Sequence, residues 1–484
     1  MSEISKLNPI GVWKHFDKIC SIPHPSKHEK ALREELVNFA KEQKLDYLVD
    51  ETGNLIIKKP ASKGMENRKG VILQAHLDMV PQKNNDTKHD FEKDPVLPYI
   101  DGEWVRAKGT TLGADNGIGV SAALAVLEDK TLIHPELEVL FTIDEETGMT
   151  GAFGLKAGVL KGDILMNLDS ETEGELYVGC AGGIDASIKF DYSIEAVKST
   201  FLTYKISIKG MKGGHSGMDI ILQRGNANKA LFRILYALEQ LNVLICEIDG
   251  GSLRNAIPRE AYAKIAIAGL NVAKTRLIVE EEANKIKKEL AISDPDLEIT
   301  FETCEQAKTS MSRPKSHKLI RLVYGLPNGV YRMSDSMPNL VETSSNLAIV
   351  RTEDQTAYIS CLLRSSVDSS KEDLVNMMTS IIDNSGGEAE FTGGYPGWKP
   401  NMDSPVLGLM QKTYKNLFGK EPKVMAIHAG LECGLLGGVY PNWDMISFGP
   451  TIQSPHSPDE RVNIKSVELF WQFLTETLKN IPNK

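Results

Sequence analysis

The sequence predicts an α/β protein: a split domain with a mostly parallel sheet flanked by helices, and an inserted α+β domain with an antiparallel sheet. Continuous apolar runs of strand length are typical of strands buried on both faces of a parallel sheet. In the first part of the chain such runs alternate with helical patterns. Beyond residue 185 apolar and polar residues alternate instead, which indicates antiparallel strands with one exposed face.

Three apolar runs are the predicted strands of the split domain: VILQAHL (71–77), LEVLFTID (137–144) and DILMNLD (163–169). The turn GTTLGADNGIG (109–119) is rich in glycine and leads into the helical pattern VSAALAVLED (120–129). Because strands alternate with helices, we expect the strands to run parallel. A ligand would then bind beyond their carboxyl ends.

Two rounds of strand and helix fill the middle of the chain. The strand AYAKIAIAG (261–269) precedes the charged helix VEEEANKIKKELA (279–291). The strand TAYISCLLRSS (356–366) precedes the helix KEDLVNMMTSIIDN (371–384). The similar pattern leaves a duplicated unit open, but no residue-level repeat establishes one.

The domain boundaries follow from these changes in pattern. From GGYPGW (393–398) onward the apolar pattern of the first part returns. We therefore expect residues 1–185 and 390–484 to form the split domain and residues 186–389 to form the insert. The length of 484 residues corresponds to about three units of roughly 150 residues, which leaves room for both.

The composition is that of a soluble globular protein and excludes some partners. Lys and Arg number 55 against 65 Asp and Glu, so the net charge is −10. Nucleic acids and anionic membranes require a basic surface, so neither is expected as a partner. The six cysteines contain no CxxC pair, which favours reduced thiols. With no secretory signal and no apolar run of about 20 residues, a cytoplasmic location is predicted.

The first candidate site residues are His76 and Asp78, at the end of the predicted strand 71–77. A spacing of two on an extended chain places both side chains on one face. The histidine can then bind a metal while the carboxylate supports its ring. Taken alone, the pair is more typical of two hydrogen-bonded polar residues at a strand end.

Further carboxylates follow the other predicted strands and the glycine-rich turn. Asp115 lies in GADNG, where it could simply cap the following helix. Asp144, Glu145 and Glu146 follow the strand LEVLFTI, and Asp169 follows DILMNL. Three adjacent carboxylates repel one another unless they are solvated or a cation is present. Because adjacent side chains point in different directions, one could bind a metal while its neighbour acts as a base.

A histidine far along the chain completes the set. His456 lies in SPHSPDER, a loop made rigid by two prolines, and a lone loop histidine usually has no function. Together the candidates supply two histidines and three carboxylates: His76, Asp115, Glu146, Asp169 and His456. Such nitrogen and oxygen ligands suit two zinc ions or similar divalent metals rather than a thiolate site.

Seven motifs occur in order along the chain: HLDMVPQ, GTTLGADNGIG, DEETGMTGA, NLDSE, GGHSGMD, HAGLECG and SPHSPDER. Together they resemble the di-zinc exopeptidases of the aminoacylase, carboxypeptidase and dipeptidase superfamily. Within it they are most similar to the branch of bacterial cytosolic aminoacyl-histidine dipeptidases. The resemblance runs from His76 to Arg461. It implies that the split domain is catalytic and that the insert serves as a lid and in dimerisation.

The resemblance also implies a role for each candidate ligand. Asp115 would bridge two divalent metal ions per subunit, Zn²⁺ with Co²⁺ and Mn²⁺ as alternatives. His76 and Asp169 would complete one ion, and Glu146 and His456 the other.

Two further residues of the split domain receive roles from the same resemblance. Asp78 would orient the ring of His76. Glu145 would be the general base, taking a proton from a water activated between the two metal ions and returning it to the leaving amine.

Three residues of the predicted lid and one of the split domain, Gly430, receive roles in the same way. His215 would reach the active site of the partner subunit of a homodimer and stabilise the oxyanion there. Asn255 and Arg364 would hold the substrate, and the backbone at Gly430 would meet its carboxyl end. Without the resemblance, a surface turn would explain His215 and a solvated strand end Arg364.

The implied reaction is hydrolysis of the peptide bond of dipeptides with broad specificity, including Xaa-His substrates such as β-Ala-His. The alternative is an amidohydrolase that removes the acyl group of N-acyl amino acids with the same metal core. A third reading, an inactive binding protein on this fold, predicts the loss of a ligand or of the base, and none is lost.

Overall fold

The computed structural model describes residues 2–484, which form two compact units. The first unit comprises the chain up to Gly179 together with Pro400–Ala426 and Leu431–Lys484. The second unit comprises Cys180–Lys399 and Ile427–Gly430.

The boundaries between the units differ by several residues from those expected at 185/186 and 389/390. The second unit begins earlier because the strand Gly182–Asp191 already pairs with the strand Thr356–Ser365 of that unit. It ends later because the strand Glu388–Tyr395 pairs with Gly182–Asp191. These pairings join segments far apart in the chain, so no local pattern marks them.

The first unit is built on an eight-stranded sheet within the described chain. In spatial order its strands are Asp46–Val49, Leu55–Lys59, Leu137–Thr142, Val71–His76, Ile164–Asn167, Asp444–Ser447, Glu175–Cys180 and Lys423–Ile427. The four central strands, from Leu137–Thr142 to Asp444–Ser447, are parallel to one another. Antiparallel strands flank them. The parallel centre agrees with the apolar runs, since every residue of Val71–His76 and Leu137–Thr142 is buried.

Helices accompany this sheet. The described helices of the first unit are Ile10–Cys20, Lys30–Glu42, Ala114–Glu128, Glu145–Gly148, Thr150–Gly154, Pro405–Phe418, Glu432–Val439 and Ile464–Lys479, with a 3-10 turn at Glu3–Lys6. The helix Ala114–Glu128 is buried along almost its whole length, which explains its apolar sequence. It packs against Ile10–Cys20 at Gly117, where a Cβ atom would lie 2.8 Å from the ring of Phe16.

A four-stranded antiparallel sheet of the same unit supports one loop of the site. Its strands are Ile452–Gln453, Arg461–Asn463, Trp104–Ala107 and Pro98–Asp101. The first two strands pair as a hairpin, and residues 454–460 form the loop between them. His456 lies in this loop with a positive φ of 57°.

The second unit is built on an antiparallel sheet. In spatial order its main strands are Glu298–Thr303, Phe201–Lys209, Ala261–Ala268, Leu244–Gly250, Val341–Glu353, Thr356–Ser365, Gly182–Asp191 and Glu388–Tyr395, and Gly329–Met333 also pairs with Val341–Glu353. Two short ribbons pair Ile194–Ala196 with Thr309–Met311 and Gly214–His215 with Ala256–Ile257. Both rounds of strand and helix contribute to this one sheet.

The helices of the second unit contribute to one hydrophobic core with the sheet. They are Ala227–Ala237, Val272–Glu289, Arg313–Gly325 and Asp368–Ser385, with 3-10 turns at Ile220–Leu222, Glu239–Leu241 and Gly269–Asn271. The predicted fold class is thus confirmed: a mostly parallel central sheet with helices in one unit, and an antiparallel α+β arrangement in the other. Of the helices formed by residues 2–484, none has the length and apolarity needed to cross a bilayer.

Candidate active site

The candidate site lies at the carboxyl ends of the central parallel strands of the first unit. His76 is the last residue of Val71–His76, and Asp169 lies two residues beyond Ile164–Asn167. Glu145 and Glu146 open the short helix that follows Leu137–Thr142. Because these strands are parallel and adjacent, residues far apart in sequence meet at one edge of the sheet.

Among the described residues, four groups of three side chains could hold a metal ion, and two of them contain the five predicted ligands. His76, Asp115 and Asp169 form the first of these two groups. The His76 Nε2 atom lies 3.2 Å from Asp115 Oδ1 and 3.2 Å from Asp169 Oδ1. One donor atom from each residue lies within 4.8 Å of the others, close enough to share one metal ion. The side-chain amide of Asn116 donates to Asp169 and to the backbone carbonyl of Leu168, which fixes the carboxylate.

Asp115, Glu146 and His456 form the second group. The His456 Nε2 atom lies 3.3 Å from Asp115 Oδ2 and 3.1 Å from Glu146 Oε2. The two carboxylate oxygens of Asp115 therefore face different groups, Oδ1 the first and Oδ2 the second. The structure thus brings together all five residues expected to bind metal.

Asp78 lies behind His76 and is fully buried. Its Oδ1 atom is 3.4 Å from His76 Nδ1 and accepts a hydrogen bond from the amide of Glu145 at 2.9 Å. Its Oδ2 atom accepts from the hydroxyl of Ser26 and the amide of Glu146. Burial favours the neutral carboxyl, but these partners outweigh it and lower the pKa of Asp78 to about 2. Asp78 therefore contacts His76 and also fixes the turn that carries Glu145 and Glu146.

The electrostatics of both groups fit divalent cations. Hydrogen bonds to Asp115 and Glu146 raise the pKa of His456 to about 11, against the effect of burial. Burial raises the pKa of Asp169 to about 6. The Nε2 atoms of His76 and His456 each face two carboxylate oxygens. The atoms of each group can therefore donate electron pairs to one cation. Glu146 Oε1 is buried and has no hydrogen-bond partner among the described residues, which leaves it available as a ligand.

Glu145 is set apart from its neighbour Glu146 by its surroundings. Burial raises the pKa of Glu145 well above its usual range, and the negative charges of Asp169, Glu432 and Glu146 act in the same direction. The charge of His76 opposes this shift. A raised pKa makes the protonated form of a carboxyl easier to reach, as a group that both accepts and releases a proton requires.

Three acids near the site were not singled out in the sequence. Glu460 accepts hydrogen bonds from four successive backbone amides, Leu112 to Asp115. Glu432 is fully buried and accepts from Gln74 and Thr142. Burial raises the pKa of Glu171 to about 8, helped by the charges of Asp115 and Asp169. Glu460 and Glu432 lie inside the motifs SPHSPDER and HAGLECG, which was the available signal.

His215, expected to stabilise the oxyanion, and the three residues expected to bind substrate, Asn255, Arg364 and Gly430, all lie in the second unit. His215 and Asn255 belong to one ribbon, because His215 pairs with Ala256 and the carbonyl of Asn255 accepts from the amide of Ser216 at 2.8 Å. Burial lowers the pKa of His215, and the nearby charge of Arg364 adds to the effect.

Arg364 is a buried cation with few partners. It is 6% exposed, and its Nη1 group donates to the hydroxyl of Tyr395 at 3.3 Å. Its Nε group has no hydrogen-bond partner among the described residues. The ring of Tyr395 also packs against Gly430, where a Cβ atom would lie 3.1 Å away. Tyr395, which the sequence did not indicate, thus contacts two of the predicted substrate-binding positions.

The chain belongs to peptidase family M20/M25/M40, whose model matches residues 72–480, and it is therefore an enzyme that hydrolyses peptide bonds. The family resemblance inferred from the seven motifs is confirmed.

Individual relatives are similar over the full length. The chain is 52% identical over 485 residues to the cytosol non-specific dipeptidase of Escherichia coli K12, covering 100% of both chains. It superposes on the crystal structure of aminoacylhistidine dipeptidase from Vibrio alginolyticus with a TM-score of 0.96 and 51% identity, covering 100% and 99% of the two chains. The aminopeptidase PepT from Bacillus cereus shares the fold at 14% identity, with a TM-score of 0.62 over 98% and 99% of the chains.

Proposed function

We propose that the protein is a metal-dependent dipeptidase of broad specificity that hydrolyses unblocked dipeptides, including Xaa-His substrates such as β-Ala-His. The full-length similarity to a cytosol non-specific dipeptidase and an aminoacylhistidine dipeptidase supports this substrate class. One observation carries the proposal: two groups of three side chains have Asp115 in common, and each group uses a different carboxylate oxygen of Asp115.

His76, Asp115 and Asp169 would hold one divalent ion, and Asp115, Glu146 and His456 the other. Two histidine nitrogens and three carboxylates suit Zn²⁺, with Co²⁺ and Mn²⁺ as alternatives. When bound, such a pair of ions polarises the scissile carbonyl and makes water more acidic. Asp78 would keep the ring of His76 in position through its contact with Nδ1.

Glu145 would move the proton in this reaction. Its carboxylate would take a proton from the attacking water and deliver it to the nitrogen of the leaving amine. The raised pKa of Glu145 supports this role, because the proton must be accepted in one step and released in the next. Glu145 lies directly beside Glu146, a proposed metal ligand, which supports a role for it close to the attacking water.

The second unit would act as the lid, and the first unit as the catalytic domain. Asn255, Arg364 and the backbone at Gly430 would hold the dipeptide, with Arg364 binding its free carboxylate. A buried guanidinium with a single hydrogen bond is costly unless an anion joins it, which supports this assignment. By family resemblance, His215 would reach the active site of the partner subunit of a homodimer and stabilise the oxyanion there. The similarity to a cytosol non-specific dipeptidase supports a cytoplasmic location.

A substrate panel tests the proposed substrate class. The metal-loaded enzyme is expected to release free histidine from β-Ala-His and other Xaa-His dipeptides, and to leave the matching N-acetylated amino acids largely intact. Amino-acid analysis of the products measures both reactions. Hydrolysis of the N-acyl amino acids in preference to the dipeptides would contradict the proposal and favour an amidohydrolase.

The variant Arg364→Lys tests recognition of the substrate carboxylate. Lysine keeps the charge but loses the planar fork that matches a carboxylate, so KM for a dipeptide should rise about tenfold or more while kcat changes less. The control is Arg351→Lys, because Arg351 lies on the neighbouring strand, is half exposed and pairs with Asp249. Equal KM values for both variants would contradict the role of Arg364.

A further inference from the structure

Glu460 occupies an unusual position between two parts of the candidate site. It is 2% exposed and lies directly before the strand Arg461–Asn463, at the end of the loop that carries His456. Its carboxylate reaches the turn that precedes Asp115. The candidate metal ligands do not include Glu460, and the proposed reaction gives it no task.

The contact between Glu460 and this turn is made entirely through backbone amides. Glu460 Oε2 accepts from the amides of Leu112 and Gly113 at 2.7 and 3.0 Å. Glu460 Oε1 accepts from the amides of Ala114 and Asp115 at 2.8 and 3.3 Å. Each carboxylate oxygen of Glu460 thus accepts two hydrogen bonds, and the four donors are the amides of consecutive residues.

The turn held in this way has little regular structure of its own. Gly113 has a left-handed φ of 72°, and Asp115 has φ −86° and ψ 106°, outside the helical region. Since the amides at the start of a helix lack partners within the helix, a carboxylate that accepts them fixes the backbone there. Because the backbone amide of Asp115 donates to Glu460, the carboxylate of Glu460 fixes the backbone from which the Asp115 side chain extends.

The backbone of Glu460 also takes part in the turn that follows His456. The amide of Glu460 donates to the carbonyl of Ser457 at 2.9 Å, which closes the turn directly after His456. The hairpin of Ile452–Gln453 and Arg461–Asn463 holds both ends of the loop. The side chain of Glu460 connects the loop to the turn at Asp115. His456 itself is half exposed, so few other contacts fix its position.

We propose that Glu460 is a positioning residue that joins the turn carrying Asp115 to the loop carrying His456 and so sets the geometry of the second metal-binding group. This inference rests on the proposed ligand roles of Asp115 and His456. Glu460 does not contact substrate or metal; it acts through the backbone of one ligand and the loop of the other.

The variant Glu460→Gln removes this connection with a minimal change in shape. Glutamine keeps one acceptor oxygen, but its NH₂ group faces two backbone donors, so two of the four hydrogen bonds are lost. Glu460→Asp keeps the carboxylate on a shorter side chain and should restore part of the function. Asp459→Asn is the matched control, since Asp459 is adjacent, exposed and bonded to Arg106 instead.

The first measurement is hydrogen–deuterium exchange of the metal-free proteins in the segment Leu112–Asp115. Exchange should be about tenfold faster in Glu460→Gln than in wild type or Asp459→Asn. The second is Zn²⁺ affinity in competition with a chromophoric chelator, which should fall about 10–100-fold in Glu460→Gln and less in Glu460→Asp.

The outcomes separate the positioning role from a structural role and from the proposed function. Faster exchange with unchanged Zn²⁺ affinity would overturn the inference, because Glu460 would then stabilise the turn without affecting the ligands. Unchanged exchange would overturn it as well. If Glu460→Gln does not fold, exchange and Zn²⁺ affinity are compared between Glu460→Asp and Asp459→Asn, and the same criteria apply. Failure of the wild-type protein to bind Zn²⁺ would instead refute the proposed function.

Discussion

Replacing Glu145 by glutamine is expected to lower kcat for a dipeptide by about 10²–10⁴-fold while metal binding remains. The amide has nearly the shape of the carboxyl but cannot accept a proton from water. The backbone amide of Glu145, which donates to Asp78, is unchanged by the substitution. The measurements are kcat for an Xaa-His dipeptide and the number of Zn²⁺ ions bound per chain.

The adjacent residue provides the contrast for this experiment. Glu146→Gln removes a carboxylate that faces His456 Nε2 at 3.1 Å, so we expect it to weaken metal binding as well as turnover. A Glu145→Gln variant with wild-type kcat would show that Glu145 is not the general base. A loss of metal from both variants would show that the two carboxylates do not have separate tasks.

Replacing Asp115 by asparagine is expected to reduce activity to less than about one-thousandth of wild type, because the contribution of the metal ions to catalysis is several kcal/mol. Among the described residues, only Asp115 belongs both to the group with His76 and Asp169 and to the group with Glu146 and His456. Asparagine offers a single acceptor oxygen without the charge, so both groups should lose affinity for metal.

Metal titration and a control at the other end of the same helix test this expectation. Asp129→Asn changes the same residue type at the C-terminal end of Ala114–Glu128 and should leave both activity and metal content near wild type. Removing metal from the wild-type enzyme with a chelator should abolish activity, and added Zn²⁺ should restore it. Full activity of Asp115→Asn would contradict the proposed shared ligand.

The strands of the catalytic sheet and the residues at their ends could be predicted because their signal is local. The apolar runs at 71–77, 137–144 and 163–169 correspond to buried strands, and acids and histidines at the ends of parallel strands must lie at one edge. His456 was different, since a single loop histidine carries no local sign of function. Only the order of the motifs connected it with the others.

Other features were not accessible from the sequence because they depend on distant contacts. The carboxylate of Glu460 binds amides that are 348 positions away from it at Leu112, and nothing near either residue indicates this. Tyr395 was missed for the same reason, as its hydroxyl meets Arg364 on another strand. The positions of His215, Asn255, Arg364 and Gly430 came from family resemblance, and their roles remain predictions.

The position of His456 after the second unit in chain order has a consequence for synthesis. The residues of the first group, up to Asp169, leave the ribosome before the second unit is made, whereas the second group requires His456. We therefore expect the second group of proposed ligands to stay incomplete in a growing chain until the segment with His456 emerges. With the proposed ligands, the order of translation would keep the hydrolase inactive until both units have been synthesised.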